Sequence, residues 1–141
     1  MFGMKPKILK TPPMPKDLIS EWSRKNPMYI NKSDERYEKH SKQLKTNGFS
    51  DSETWSLDSV VCRFILPRLI RFKALNNGYP CGLTSEKWNA TIDMMMFAFE
   101  WSLNNEEDKY DKLTEEEKKE NWKRYEEGMK MFATYFRDLW W

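Results

Sequence analysis

The sequence predicts an all-α protein: a small helical bundle of about four to five helices, preceded by an extended, proline-rich N-terminal arm. Three observations lead there. Apolar residues in the longer segments recur at three- and four-residue steps, the period of one helix face. Start and stop signals bracket those segments. No stretch alternates apolar and polar residues as a half-buried strand does. With 141 residues the chain suits one domain, and its 15% aromatic content, seven Trp included, offers large side chains to fill a core. The organisation read from the sequence is an arm over 1–15, short N-terminal helices over 16–48 and a helical core domain over 49–141.

The arm holds Pro6, Pro12, Pro13 and Pro15, which fix φ, remove backbone donors and exclude helix. A short helix is expected over 16–25, between Pro15 and Pro27. A second, mostly polar helix is expected from Ser33, its candidate cap, to Thr46, where Asn47 and Gly48 stop it. Ser50 and Glu53 have the capping-box spacing and introduce a long helix from about Ser52 to Asn76. Its inward face is expected to carry Leu57, Val60, Val61, Phe64, Leu69, Phe72 and Leu75. Pro67 inside it predicts a kink or a break. After the turn Tyr79–Pro80–Cys81–Gly82, Thr84 is the expected cap of a helix running to about Leu103. Trp88, Ile92, Met95, Phe99 and Leu103 make its main stripe, with apolar residues on most of the remaining circumference, so it is expected to be central. An acidic loop from Asn104 to Leu113 leads to Thr114–Glu117, a capping box with acid in the first turn. The last helix then shows a seam of Trp122, Tyr125, Met129, Phe132, Phe136 and Leu139. Gly128 sits within it at a cost of about 1 kcal/mol relative to Ala, which close approach of another backbone would explain.

Composition excludes several classes of function. No window holds the roughly 18 uncharged apolar residues of a membrane span, and the start of the chain has no apolar leader segment, so a cytoplasmic protein is expected. Two cysteines, Cys62 and Cys81, do not make a disulfide framework. A lone histidine, His40, read as a surface residue, leaves no metal-ligand spacing and no nucleophilic triad. The scattered glycines make no phosphate loop. No cofactor or metal is expected. The basic residues of the first 48 positions are interleaved with acids, which argues against a nucleic-acid surface. Asp58 and Glu100 intrude on apolar helices and would be either buried acids of a metal-independent hydrolase or partners of Arg63, Arg68 or Arg71.

The most informative stretch runs from Arg63 to Lys73. Arg68 and Arg71 stand three apart on a helical face, and their forks suit phosphates. With Lys73, and with Trp55 and Tyr79 as stacking rings, they compose a candidate nucleotide site between helices or subunits. The terminal Trp140 and Trp141 are either packed or offered to a partner.

Residues 50–141 also resemble a family of small proteins of tailed bacteriophages. The likeness rests on Trp55–Asp58, Phe64–Leu69 with Phe72 and Lys73, Tyr79–Pro80, Trp88 and Ala98–Glu100. It continues through Glu127–Met129, Phe132–Ala133, Tyr135–Phe136 and Leu139–Trp140. The resemblance implies an accessory or counter-defence protein of the host cytoplasm. On that footing the leading expectation is a non-enzymatic homo-oligomer that sequesters a phosphate-bearing nucleotide immune signal without cleaving it. The alternatives are an inhibitor or adaptor of a host defence protein, acting through the arm, Trp140 and Trp141, and the hydrolase using Asp58 or Glu100.

Overall fold

The computed structural model describes residues 32–104 and 111–140. Among them the chain is all-α, with five helices and no strand. They are α1 (Tyr37–Asn47), α2 (Ser52–Trp55), α3 (Leu57–Leu75), α4 (Ser85–Asn104) and α5 (Glu115–Thr134), followed by a 3-10 turn at Phe136–Asp138. The expected arm, the expected helix over 16–25 and Trp141 lie outside the described residues.

α1 stops where the sequence says it should. Gly48 takes a left-handed φ of 80°, and its N–H bonds the Leu44 carbonyl. It starts later than expected, at Tyr37, with Arg36 and not Ser33 at the N-cap position. Asp34 organises the entry instead: its carboxylate accepts from the Arg36 backbone N–H at 2.9 Å and from the guanidinium at 3.0 and 2.9 Å. That fork holds the Asp34 carboxyl well below the usual carboxylate range. His40, expected at the surface, is buried at 9% exposure. A polar helix gives no local sign that one of its polar side chains faces inward.

The expected break in the long helix falls at Ser56 (φ −119°, ψ 65°), not at Pro67. α3 runs through Pro67 without interruption. Proline there forfeits its own backbone donor, and packing along a 19-residue helix offsets one missing bond. Half of the expected capping box before α2 is present: the Glu53 carboxylate accepts from the Ser50 N–H at 2.7 Å. The Ser50 hydroxyl pairs with that of Ser52 at 2.6 Å rather than with the Glu53 N–H.

The inward face of α3 also differs from the expected one. Cys62, Leu66 and Leu69 are buried, and Ile65, Ile70 and Phe72 pack beside them, while Leu57, Val61 and Phe64 face outward at 57%, 47% and 56% exposure. α3 carries more apolar residues than one face can bury. Periodicity locates a stripe on such a helix but does not say which stripe meets the core.

α4 is central, packed on α3 at one side and on α5 at the other. The Thr84 hydroxyl caps it, accepting from the Lys87 N–H at 3.2 Å. Trp88, Ile92, Met95 and Phe99 are at most 2% exposed, and burial of each contributes roughly 1.5–3 kcal/mol. α5 opens on the predicted capping box, with both reciprocal bonds between Thr114 and Glu117 formed. Gly128 is buried, and a Cβ there would run into the Met94 carbonyl oxygen and lie 2.7 Å from the Ala98 Cβ. Phe132 then meets Phe99 edge to face, with ring centroids 4.9 Å apart. The seam expected on α5 holds at Met129, Phe132 and Leu139 and continues at Trp122 and Tyr125, whose rings pack on Trp101 of α4; it fails at Phe136, which is 61% exposed. The helix ends at Thr134, and the tighter 3-10 turn changes the register. Tyr135, not Phe136, then reaches Trp88.

Candidate functional site

The linker that leaves α3 is shaped by one side chain. The Asn76 carboxamide accepts from the Gly78 N–H at 3.0 Å and donates to the Gly78 carbonyl at 2.8 Å. Beyond it, Gly82 at φ 86° and a 3.1 Å bond from the Leu83 N–H to the Pro80 carbonyl turn the chain into Thr84. The clamped segment Asn76–Pro80 forms one wall of a cleft of about 300 Å³. Asp138 and Trp140, which follow α5, form another, and Trp88 contributes from the core. The Trp88 ring is held edge-on against Tyr135, centroids 5.5 Å apart. Tyr79 and Trp140 border the cleft at 56% and 75% exposure.

The cleft is aromatic, and among the described residues no cation lines it. Asp138 is the one charged wall residue among those described. It also takes in Asn76, the C-cap of α3, where the helix dipole presents its negative end. Both features disfavour a phosphate seated there and favour a flat ring with polar edges.

Of the residues predicted to bind, the structure brings Tyr79 and Trp140 together. It does not bring Arg68, Arg71 or Lys73 to them. Arg68 folds back on its own helix: Nη1 donates to the Phe64 carbonyl at 2.7 Å and the guanidinium lies 3.7 Å above the Phe64 ring. Lys73 is spent on Asp93 of α4 at 2.6 Å. Arg71 is exposed and has no ion pair among the described residues. Trp55 ends α2, and its side chain, like Trp141, lies outside the described residues.

The two acids do not occupy the places expected of them. Asp58 and Glu100 are both exposed, on α3 and α4, and neither is paired with Arg63, Arg68 or Arg71. The amphipathic pattern places each on a solvent-facing flank. Among the described residues no His, Cys, Asp or Glu group of three or more is arranged to hold a metal. Cys62 is buried, and desolvation pushes its thiol up, whereas Cys81 is exposed in the turn beside the cleft. No described helix is long and apolar enough to cross a membrane. A smaller cleft of about 250 Å³ between α4 and α5 mixes Asp93, Arg124 and Glu127 with Met94 and Phe97.

Sequence reasoning missed Asn77, Asp138 and the part played by Trp88. The run Asn76–Asn77–Gly78–Tyr79–Pro80 carries a turn signal, and its use as a wall depends on what packs opposite.

Compared with protein families, curated proteins and solved structures, the chain matches none.

Proposed function

We propose that this protein is a binding module that captures a nucleobase-like ring in the cleft between the Asn76–Pro80 linker and the segment after α5. A nucleotide is then engaged through its base rather than through its phosphates. The observation that carries the reading is the meeting of Tyr79, from the linker after α3, and Trp140, from the segment after α5, at a cleft with no cationic wall among the described residues. Stacking of a base on an aromatic side chain is worth roughly 1–3 kcal/mol and tolerates any base, because every base has a π face. Asn77 and Asp138 supply edge acceptors and a donor for selectivity. In the phage setting to which the sequence resemblance points, the captured molecule is a nucleotide immune signal, sequestered intact.

Thermal shift tests this directly, since a ligand that binds only the native state raises Tm. A nucleoside and its 5′-phosphate should raise Tm alike. Tyr79→Ala and Trp140→Ala should abolish the rise, and Arg68→Ala and Arg71→Ala should leave it in place. The reverse pattern, in which only phosphorylated ligands act and the arginines are essential, would replace this cleft with a site on α3. No shift with any nucleoside or nucleotide would end the reading. Mass spectrometry of recovered ligand should find it unchanged.

The 75% exposure of Trp140 favours one second reading, in which the cleft is a socket for a side chain of a host defence protein. Under that reading Trp140→Ala would abolish capture of the partner while nucleosides left Tm unmoved.

A further inference from the structure

Leu57, Val61 and Phe64 lie on one stripe of α3 and all point away from the core. The stripe continues in the same four- and three-residue steps to Arg68 and Arg71, both exposed. Asp58 flanks it in the first turn, also exposed. The face is therefore graded along its length: an acid at the N-terminal end, three apolar side chains, then two guanidiniums toward the C-terminal end. Arg68 already rests on the Phe64 ring, so its charge lies on this stripe and not beside it.

Such a grading is complementary to itself once reversed. In an antiparallel pair of α3 helices related by a two-fold axis, Val61 packs on the partner's Phe64, and Leu57 on the aliphatic stem of the partner's Arg68. These are the layers that a four-three stripe forms in antiparallel packing. The same register brings Asp58 level with the partner's Arg68, with the partner's Arg71 one turn away, at both ends at once because the contact is isologous. The helix dipoles oppose each other in this arrangement. A parallel pairing would instead set guanidinium against guanidinium.

We infer that the outer face of α3 is a self-association seam, and that two copies of this chain meet there antiparallel. The surface is separate from the aromatic cleft, so the inference does not rest on the binding reading above.

Sedimentation velocity of the full chain over micromolar concentrations tests it. The expected result is a monomer–dimer equilibrium. Phe64→Glu should weaken it by about tenfold or more, as loss of a central apolar anchor does. Asp58→Arg and Arg68→Glu should each weaken it, and the double variant should regain the dimer by restoring the pair in reversed polarity. These residues are exposed, so the far-ultraviolet circular dichroism of every variant should match the parent. A monomer at all concentrations, or a dimer indifferent to Phe64→Glu, would overturn the seam. Failure of the double variant to recover would overturn the antiparallel register. A monomer whose Tm drops on Phe64→Glu would show that another segment of the same chain covers the stripe, and would overturn self-association there.

Discussion

Gly128 shows how a single residue fixes the approach of two helices. Alanine there gains about 1 kcal/mol of helix propensity, but its Cβ would collide with backbone at Met94, which cannot swing aside as a side-chain tip can. Overpacking of this kind costs about 1–3 kcal/mol. The overall expectation for Gly128→Ala is a lower denaturation midpoint in urea, despite the better helix former. At the other end of the chain, Asp34 should protonate at lower pH than ordinary aspartates, because Arg36 donates to its ionised form. Carboxyl-carbon NMR titration should show this, and Arg36→Ala should move Asp34 back up. The sign follows from a lowered native value: the pair favours the folded state above the ordinary aspartate range and loses that effect as pH falls through the depressed value. Arg36 is solvent-exposed and Asp34 partly so, and the change in stability itself is small. Residue-scale features of this sort are readable in sequence when the signal is local. Gly128 within a helix and Thr114 three residues before Glu117 announce their roles. His40 does not: it is buried on a helix whose residues are mostly polar.

α3 is where reasoning from element patterns met its limit. The existence, period and C-terminal stop of this helix follow from its residues, and so does the central position of α4, whose stripe from Trp88 to Phe99 is the core. The rotation of α3 does not follow. Two stripes compete on it, Leu57–Val61–Phe64 and Cys62–Leu66–Leu69, and both satisfy the helical period. Packing against α4 selects the second. The choice is measurable. Leu66→Ala removes a side chain that is 4% exposed and should cost about 2–5 kcal/mol by denaturant unfolding. Leu57→Ala, at 57% exposure, should stay within about 0.5 kcal/mol when the protein is dilute enough to be monomeric. Equal losses would mean that the Leu57–Val61–Phe64 stripe was inward after all. Pro67 carries the same lesson. Its cost is local, and the tertiary contacts of α3 decide whether the helix bends, breaks or continues.

For the whole molecule, the candidate site was half visible. Tyr79 and Trp140 each stood out by type and position, but nothing in a linear pattern joins them. Their meeting depends on α4 and α5 packing so closely that the end of one helix pair returns to the linker after α3. The arginines stood out more strongly and proved to belong elsewhere, because proximity in sequence to a ring is not proximity to a cleft. The turn that closes the linker has one further consequence. Cys81 follows the cleft-lining Pro80 and is exposed, while the other thiol of the chain, Cys62, is shut inside. A maleimide dye would thus attach at one position without any engineering, and its emission would report directly when a ring enters beside it.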